Sequence, residues 1–433
     1  MIDSKGEPEL PPSEKAGFFS RFVRGRNVWL FGDQAVTALG SVAILLFAAR
    51  AFPPSQLAAF SLAQLVATTL QAIMRAAVLN PSLASQRTHG VGAIPLRWAI
   101  TAGPVVGLLA VAGALIANSG SKVPPGPDWY VAVPAAAVTL VLMDLARYRC
   151  FSGGAFQRVL IGDLVWIALI VGVATATVVF GFSSPSALMS AWAVANLGGL
   201  GVMAFHRSAA SGRSIRFRET WVLGRWGGLE SLMSSAANLL PMFVTTLALG
   251  SDSAGFYRVL QSALGPLNIV NTSVSIAFGL DSWRLNGETA LRELRAKVLR
   301  ITALLVTFAV LYIALAEVAV IFVSGLTGDD LFRVALIVGI AGVLGAATTA
   351  SSAAALALGY QRFGVLIRSG TVLLAVGVSV AAAAGYWVPW GDPIGTVSLA
   401  AAAIGLAGWS FTFAAGLRHE VKKTLVPPGS LSE

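Results

Sequence analysis

The chain has little cysteine, little histidine and little charge, and each shortage narrows what it can be. Cys150 stands alone, which excludes an intrachain disulfide, and it reads as a buried thiol. His89, His206 and His419 are the only histidines; they form no H-E-x-x-H, and no Cys or His pair has metal-ligand spacing. No G-x-x-x-x-G-K-[ST] loop occurs either, which argues against ATP hydrolysis. No metal, cofactor or catalytic residue is therefore expected. Only 12% of residues are charged, against 56% hydrophobic and a mean hydropathy of +0.76; a soluble domain runs at roughly 25% charged. The formal charge of +10 would suggest nucleic acid if the basic residues clustered on a soluble face. They lie instead between apolar runs, so no nucleic-acid partner is expected.

Long apolar runs are what the sequence does have. Several are about 20 residues long, enough to cross a hydrocarbon core of ~30 Å as a helix. They lack the alternation of a β-barrel. Punctuation by turns and charges predicts spans near 29–49, 57–79, 98–117, 129–146, 159–181, 186–205, 227–249, 255–279, 301–324, 332–357, 364–386 and 394–416. The predicted fold is all-α and integral to the membrane, twelve transmembrane helices in two six-helix bundles around a central cavity. Its parts are a tail (1–27), an N-terminal bundle (28–206), a linker (207–225), a C-terminal bundle (226–417) and a second tail (418–433). The polar first tail, with Pro11-Pro12, reads as cytoplasmic and not as a signal peptide. With the N-terminus inside, 25 of the 30 basic residues fall on the cytoplasmic side and four, Arg50, Lys122, Arg258 and Arg333, outside. The positive-inside rule then places both termini in the cytoplasm. High arginine over lysine, with much Ala and Gly, points to a bacterial cytoplasmic membrane.

An internal repeat is also expected. An offset of 196 lays Asp33-Gln34 over Leu229-Glu230 and Ser55–Phe60 over Ser251–Phe256, and an offset of 204 lays Phe156-Gln157-Arg158 over Tyr360-Gln361-Arg362. Two copies of six spans share one orientation, a parallel repeat in which substrate would bind between the halves.

Polar residues inside the spans mark the candidate site. Span 2 carries Ser61, Gln64, Thr68, Gln71 and Arg75 at spacings of three and four, one face of a helix. Such a stripe faces a neighbouring helix or a wet cavity, and small polar residues also serve as packing glue. Arg75 is costly within a span, by ~2.5 kcal/mol or more near its centre. It either contacts an anion in the cavity or pairs with a carboxylate such as Asp33. Asp33, Thr37 and Ser41 stripe span 1; Glu230, Ser234, Asn238 and Thr245 stripe span 7; Gln261, Asn268 and Thr272 stripe span 8. Gln64, Gln71, Asn238, Gln261 and Asn268 are the expected cavity-lining residues. At the ends of spans 4 and 5 lie Asp144, Arg147, Arg149 and Arg158, then Asp163 and Trp166. Asp144 and Arg147, three apart, can pair on one face, and a solvated interfacial cluster is the plain account of the group. Glu317 sits alone in span 9.

Gly32-Asp33-Gln34 opening span 1, Ala48-Ala49-Arg50 with Pro53-Pro54 closing it, Phe60-Ser61-Leu62, Arg75 with Asn80-Pro81, and the Asp144–Arg149 and Asp163–Trp166 segments resemble the polysaccharide-export and O-antigen flippases. These belong to the multidrug/oligosaccharidyl-lipid/polysaccharide (MOP) exporter superfamily. The resemblance implies two six-helix bundles around a V-shaped cavity and transfer of an undecaprenyl-pyrophosphate-linked oligosaccharide to the outer leaflet. Membrane lipids, a glycan polymerase and glycosyltransferases of the same pathway are the implied partners. Arg75, helped by Arg147 and Arg149, would receive the pyrophosphate, since guanidinium binds phosphate bidentately. Asp33 and Glu230 would hold those arginines between loads or accept a coupling proton, with Asp144 and Asp163 as further charge partners. Other readings stay open: a multidrug or small-molecule antiporter, marked by a negative instead of a positive cavity; a membrane-embedded glycan polymerase or ligase; and an assembly scaffold. The short outer loops, whose only acids are Asp128, Asp252, Asp329, Asp330 and Asp392, argue against an enzyme.

Overall fold

The computed structural model describes residues 26–82, 97–119, 126–181, 184–204, 217–249, 288–324, 329–358, 360–384 and 393–425. Among them are eleven α-helices: α1 (Arg26–Ala51), α2 (Pro54–Met74), α3 (Arg97–Ser119), α4 (Trp129–Ser152), α5 (Phe156–Val179), α6 (Pro185–Ala204), α7 (Phe217–Leu249), α8 (Glu288–Ser324), α9 (Asp329–Ala357), α10 (Gln361–Ala383) and α11 (Pro393–Leu425). A π-helical turn, Arg75–Leu79, continues α2. Each helix coincides with one of the predicted spans; the span expected at 255–279 lies outside the described residues. Six stretches among the described residues, in α2, α4, α5, α6, α8 and α11, are long and apolar enough to cross a membrane. The fold is all-α and membrane-embedded.

Local chemistry explains where the helices begin and end. Pro53 is extended (φ −63°, ψ 158°) and Pro54 opens α2, where a missing N–H costs nothing. Ser184 caps α6 by accepting the Ala187 N–H (3.1 Å), and Pro185 follows it. Gly154 (φ 75°) and Gly181 (φ 71°) end α4 and α5 in the left-handed region open to glycine. Four helices clearly outrun the prediction, α7 and α8 at their starts and α4 and α11 at their ends. The start of α8 carries Arg292, Glu293, Arg295, Lys297 and Arg300 but buries Leu294 and Val298. The apolar-run criterion stopped at those charges, whereas one buried stripe sustains the helix past them.

Outward faces are apolar. In α3, Val105, Leu108 and Leu115 are exposed while Val106, Ala110 and Ala114 are buried, so the stripe that packs is the one with small residues and the large ones face outward, as in a lipid solvent.

Among the described residues, the eight most extensive helix contacts are four pairs, each made once per half. In the first half α1 packs on α5, α4 on α6, α5 on α6 and α3 on α4; in the second α7 packs on α10, α9 on α11, α10 on α11 and α8 on α9. In span numbering these are the same pairs shifted by six, the repeat that the sequence offsets suggested. Between the halves, the extensive contacts among the described residues are those of α2 and its π-turn with α7.

Candidate functional site

The first half encloses an ionic cluster. Arg147 of α4 has a fully buried side chain ringed by three carboxylates: Nε lies 3.1 Å from Asp33 of α1, Nη1 2.6 Å from Asp144 one turn away, and Nη2 2.5 Å from Asp163 of α5. Thr37 of α1 adds a hydroxyl 3.4 Å from Nη2. Arg75, at the end of α2, donates to both oxygens of Asp144, Nε at 2.6 Å and Nη2 at 2.5 Å. Its side chain keeps 21% exposure, whereas all three carboxylates are at 1% or below. Burial of five charges is tolerable only because each is held by opposite charge. Bidentate guanidinium pairing supplies the geometry. With every group ionised, three carboxylates against two guanidiniums leave one negative charge in the interior.

A neutral network braces the cluster. The Trp166 indole, one turn beyond Asp163, donates to Asn196 Oδ1 (2.7 Å), and the Asn196 amide reaches the Ala136 carbonyl and Thr139 (both 3.2 Å). Trp166 lies flush on Gly40, where any Cβ would overlap its ring. That contact seats α1 on α5 and brings Asp33 within reach of Arg147.

These placements correct several expectations. Arg147, expected to help receive a headgroup, is enclosed in this conformation: its side chain has no exposed surface and three carboxylates lie around it. The predicted pairing of Asp144 with Arg147 is present, but the group is enclosed and not a solvated interfacial cluster. The carboxylate that holds Arg75 is Asp144, not Asp33. Arg149 is half-buried, and its Nε has no hydrogen-bond partner among the described residues. Gln64 and Gln71 are buried between helices, so here they are packed and not wetted. Ser41 and Thr68 bond back to their own helices, the packing role foreseen for small polar residues. Asn238 and Glu317 lie on α7 and α8 with side chains outside the described set, and Gln261 and Asn268 lie outside it altogether.

Glu230 finds its partner in its own half. Arg368 of α10 donates to it at 3.1 Å, the two side chains being 18% and 29% exposed. Nearby, Arg225 and Arg362 both approach the Trp226 ring, at 5.8 and 5.2 Å from its centroid. Sequence reading missed Arg368 as a partner, although its place six residues beyond Arg362, under two turns along the same helix, was a usable signal. It also missed Asn196, which carries no charge and sits alone in an apolar run.

Among the described residues no group of His, Cys, Asp and Glu could hold a metal ion. No family model matches the sequence, and no curated protein matches it. Solved structures do match in three dimensions. The inward-facing conformation of a multidrug resistance MATE family transporter of the MOP superfamily superposes with a TM-score of 0.59 at 13% identity, over 91% of this chain and 96% of that one. The outward-facing conformation of a transporter so described scores 0.58 at 13% identity, over 92% and 95%. A MOP superfamily transporter from Pyrococcus furiosus, whose binding pocket is described as of reverse polarity, scores 0.56 at 14% identity, over 92% and 94%. The chain thus has, over nearly its whole length, the all-α membrane fold of the MATE transporters of the MOP superfamily.

Proposed function

We propose that the protein is a proton-coupled transporter that works by alternating access between its two halves, with both termini in the cytoplasm. The observation that carries this is the buried cluster of Asp33, Asp144, Asp163, Arg75 and Arg147. Its three carboxylates outnumber its two guanidiniums, and a proton taken up by one of them would balance the charge of these five groups inside the membrane. Charge so costly to bury is a functional feature by default. The repeated helix pairings supply two bodies able to rock, and the distribution of Arg and Lys supports the orientation.

The proposed substrate is an undecaprenyl-pyrophosphate-linked oligosaccharide moved from the cytoplasmic to the outer leaflet. Support comes from the residue pattern over 30–170 and from arginines the cluster leaves over. Arg149, and the pair Arg225 and Arg362 around Trp226, lie at helix ends predicted to be cytoplasmic, where a pyrophosphate would enter. A second reading, export of cationic drugs, is supported by the multidrug-resistance neighbours. The negative balance of a cluster that has already engaged Arg75 and Arg147 supports it too.

Proteoliposomes under an imposed pH gradient test both. Translocation of a labelled lipid-linked oligosaccharide and efflux of ethidium are followed for the wild type and Asp163→Asn. Gradient-driven sugar translocation, reduced about tenfold or more in Asp163→Asn, is expected. Ethidium flux alone transfers the substrate to the second reading. Neither flux, from protein that elutes and melts as a folded species, overturns the transport reading.

A further inference from the structure

The π-turn that ends α2 is tethered at both ends to one helix. Arg75, its first residue, holds Asp144 of α4. Asn80, which caps it and donates its backbone N–H to the Arg75 carbonyl, accepts the Tyr148 hydroxyl of α4 at 2.6 Å. Asp144 and Tyr148 are four apart and share a face of α4. Arg75 and Asn80 are five apart, and at ~100° per residue an α-helix would point them about 140° away from each other. The wider π-turn, closing five residues on, brings them nearly into line. The bulge is thus what allows both tethers at once.

Val78 and Leu79 within it pack on Leu145 and Tyr148 of α4, whereas Ala76 and Ala77 face the second half of the molecule. Gly224, Gly227 and Gly228 of α7 lie against Ala76 and Ala77 so closely that a Cβ at Gly224 would overlap the Ala77 carbonyl. One at Gly228 would stand 2.7 Å from the Ala77 Cβ, and one at Gly227 3.1 Å from the Ala76 oxygen. Small residues on both sides let two backbones touch. This contact falls at the end of α2 and the start of α7, the cytoplasmic side in the proposed orientation.

We infer that the π-turn Arg75–Leu79 is the joint that closes the two halves together on the cytoplasmic side, and that Arg75 is the positioning residue through which the buried ionic cluster opens it. The inference rests on the transport reading and assigns the element that moves. Facing the cluster are Asp33 and Thr37 from α1, Arg75 from α2, Asp144, Arg147 and Tyr148 from α4, and Asp163 from α5. Across the joint, α7 brings Arg225, over Trp226, and Glu230, paired with Arg368. A proton on Asp33 or Asp163 strips Arg147 of a counter-charge, so Arg147 draws harder on Asp144 and repels Arg75. A proton on Asp144 removes the charge that Arg75 holds. Either way the Arg75 tether weakens, the π-turn loses one of its two anchors, and the glycine contact is released. Proton uptake therefore opens the cytoplasmic side.

Disulfide trapping in the full-length protein reads this directly. A Cβ at Gly227 would lie 4.0 Å from that of Ala76, within the disulfide range of about 3.5–4.5 Å. Ala76→Cys with Gly227→Cys, in a Cys150→Ala background in proteoliposomes, is oxidised with copper phenanthroline, and the remaining thiols are counted by maleimide mass-tagging. Thiol reactivity itself changes with pH, so each yield is compared with that of the same pair carrying Arg75→Gln at the same pH. The expected result is a yield several-fold above Arg75→Gln at pH 8 that converges with it at pH 5. A ratio that is the same at both pH values overturns the inference, whether or not the protein transports; flux with a constant ratio removes the joint and leaves the transport reading standing. If Arg75→Gln does not fold, Tyr148→Phe takes its place as the reference. It removes only the Asn80 anchor and is expected to lower the yield at both pH values while leaving a pH-dependent fall; absence of that fall is equally fatal.

Discussion

The two halves pack their helices in the same pairs and fill the equivalent interior with different chemistry. In the first half, Asp144 and Arg147 sit on α4 at the centre of an enclosed network of five charges. The offset of 204 that relates Phe156-Gln157-Arg158 to Tyr360-Gln361-Arg362 puts Thr348 and Ser351 of α9 in their places. Both are buried, and their hydroxyls bond back to their own helix, at the Leu344 (2.7 Å) and Thr348 (2.9 Å) carbonyls. An ion pair that the second half does show among the described residues, Glu230 with Arg368, is partly exposed and placed between α7 and α10. Since the helix pairings are the same with and without the cluster, the fold does not require it. A buried ion network is in any case weak evidence for stability, so the asymmetry points to a working part carried by one half.

The sharpest way to break that comparison is Arg147→Leu. It leaves Asp33, Asp144 and Asp163 buried without their shared cation, and the expected loss is about 3–5 kcal/mol, seen in detergent as a large fall in Tm or as failure to elute as a monodisperse species. Ser351→Ala, the equivalent site of the other half, is expected to change stability by less than about 1 kcal/mol. Equal melting of the two variants would mean that the cluster is not under the constraint described. Next in size is Asn196→Leu, which strands the Trp166 N–H and frees the brace behind Asp163; the same thermal assay should register about 1–3 kcal/mol. Smallest is Glu230→Gln, since a partly exposed pair contributes roughly 0–1 kcal/mol. A Tm drop there as large as that of Arg147→Leu would show that the second half depends on its ions as heavily as the first.

Much of this was legible residue by residue. Apolar length and punctuation located eleven helices, because a membrane helix must be about 20 residues long and satisfies its own backbone. The pairing of Asp144 with Arg147 followed from their spacing of three. The charged start of α8 was missed, because its burial runs through Leu294 and Val298 in a stripe that charge counting passes over. Arg75 was recognised as expensive, with an anion or a carboxylate such as Asp33 as its expected partner, and the structure pairs it with Asp144. Its carboxylate lies 69 residues away, and choosing between Asp33 and Asp144 depends on which helices touch. The π-turn was invisible for a related reason: a spacing of five between Arg75 and Asn80 fits no regular period, and only contact with α4 gives it meaning.

The sequence by itself determined that the chain is built of membrane-spanning helices, roughly where the described helices lie, and that their order repeats. Those are local properties, set by the transfer of each segment between water and lipid. Tertiary structure alone decided that Arg147 is enclosed and Arg75 latched to Asp144, that three carboxylates share two guanidiniums, and that glycines of α7 rest on a π-turn of α2. Ion pairing in a low dielectric is decided by separations of a few ångströms, and those are set by how the helices pack and by nothing in the order of the residues along any one of them.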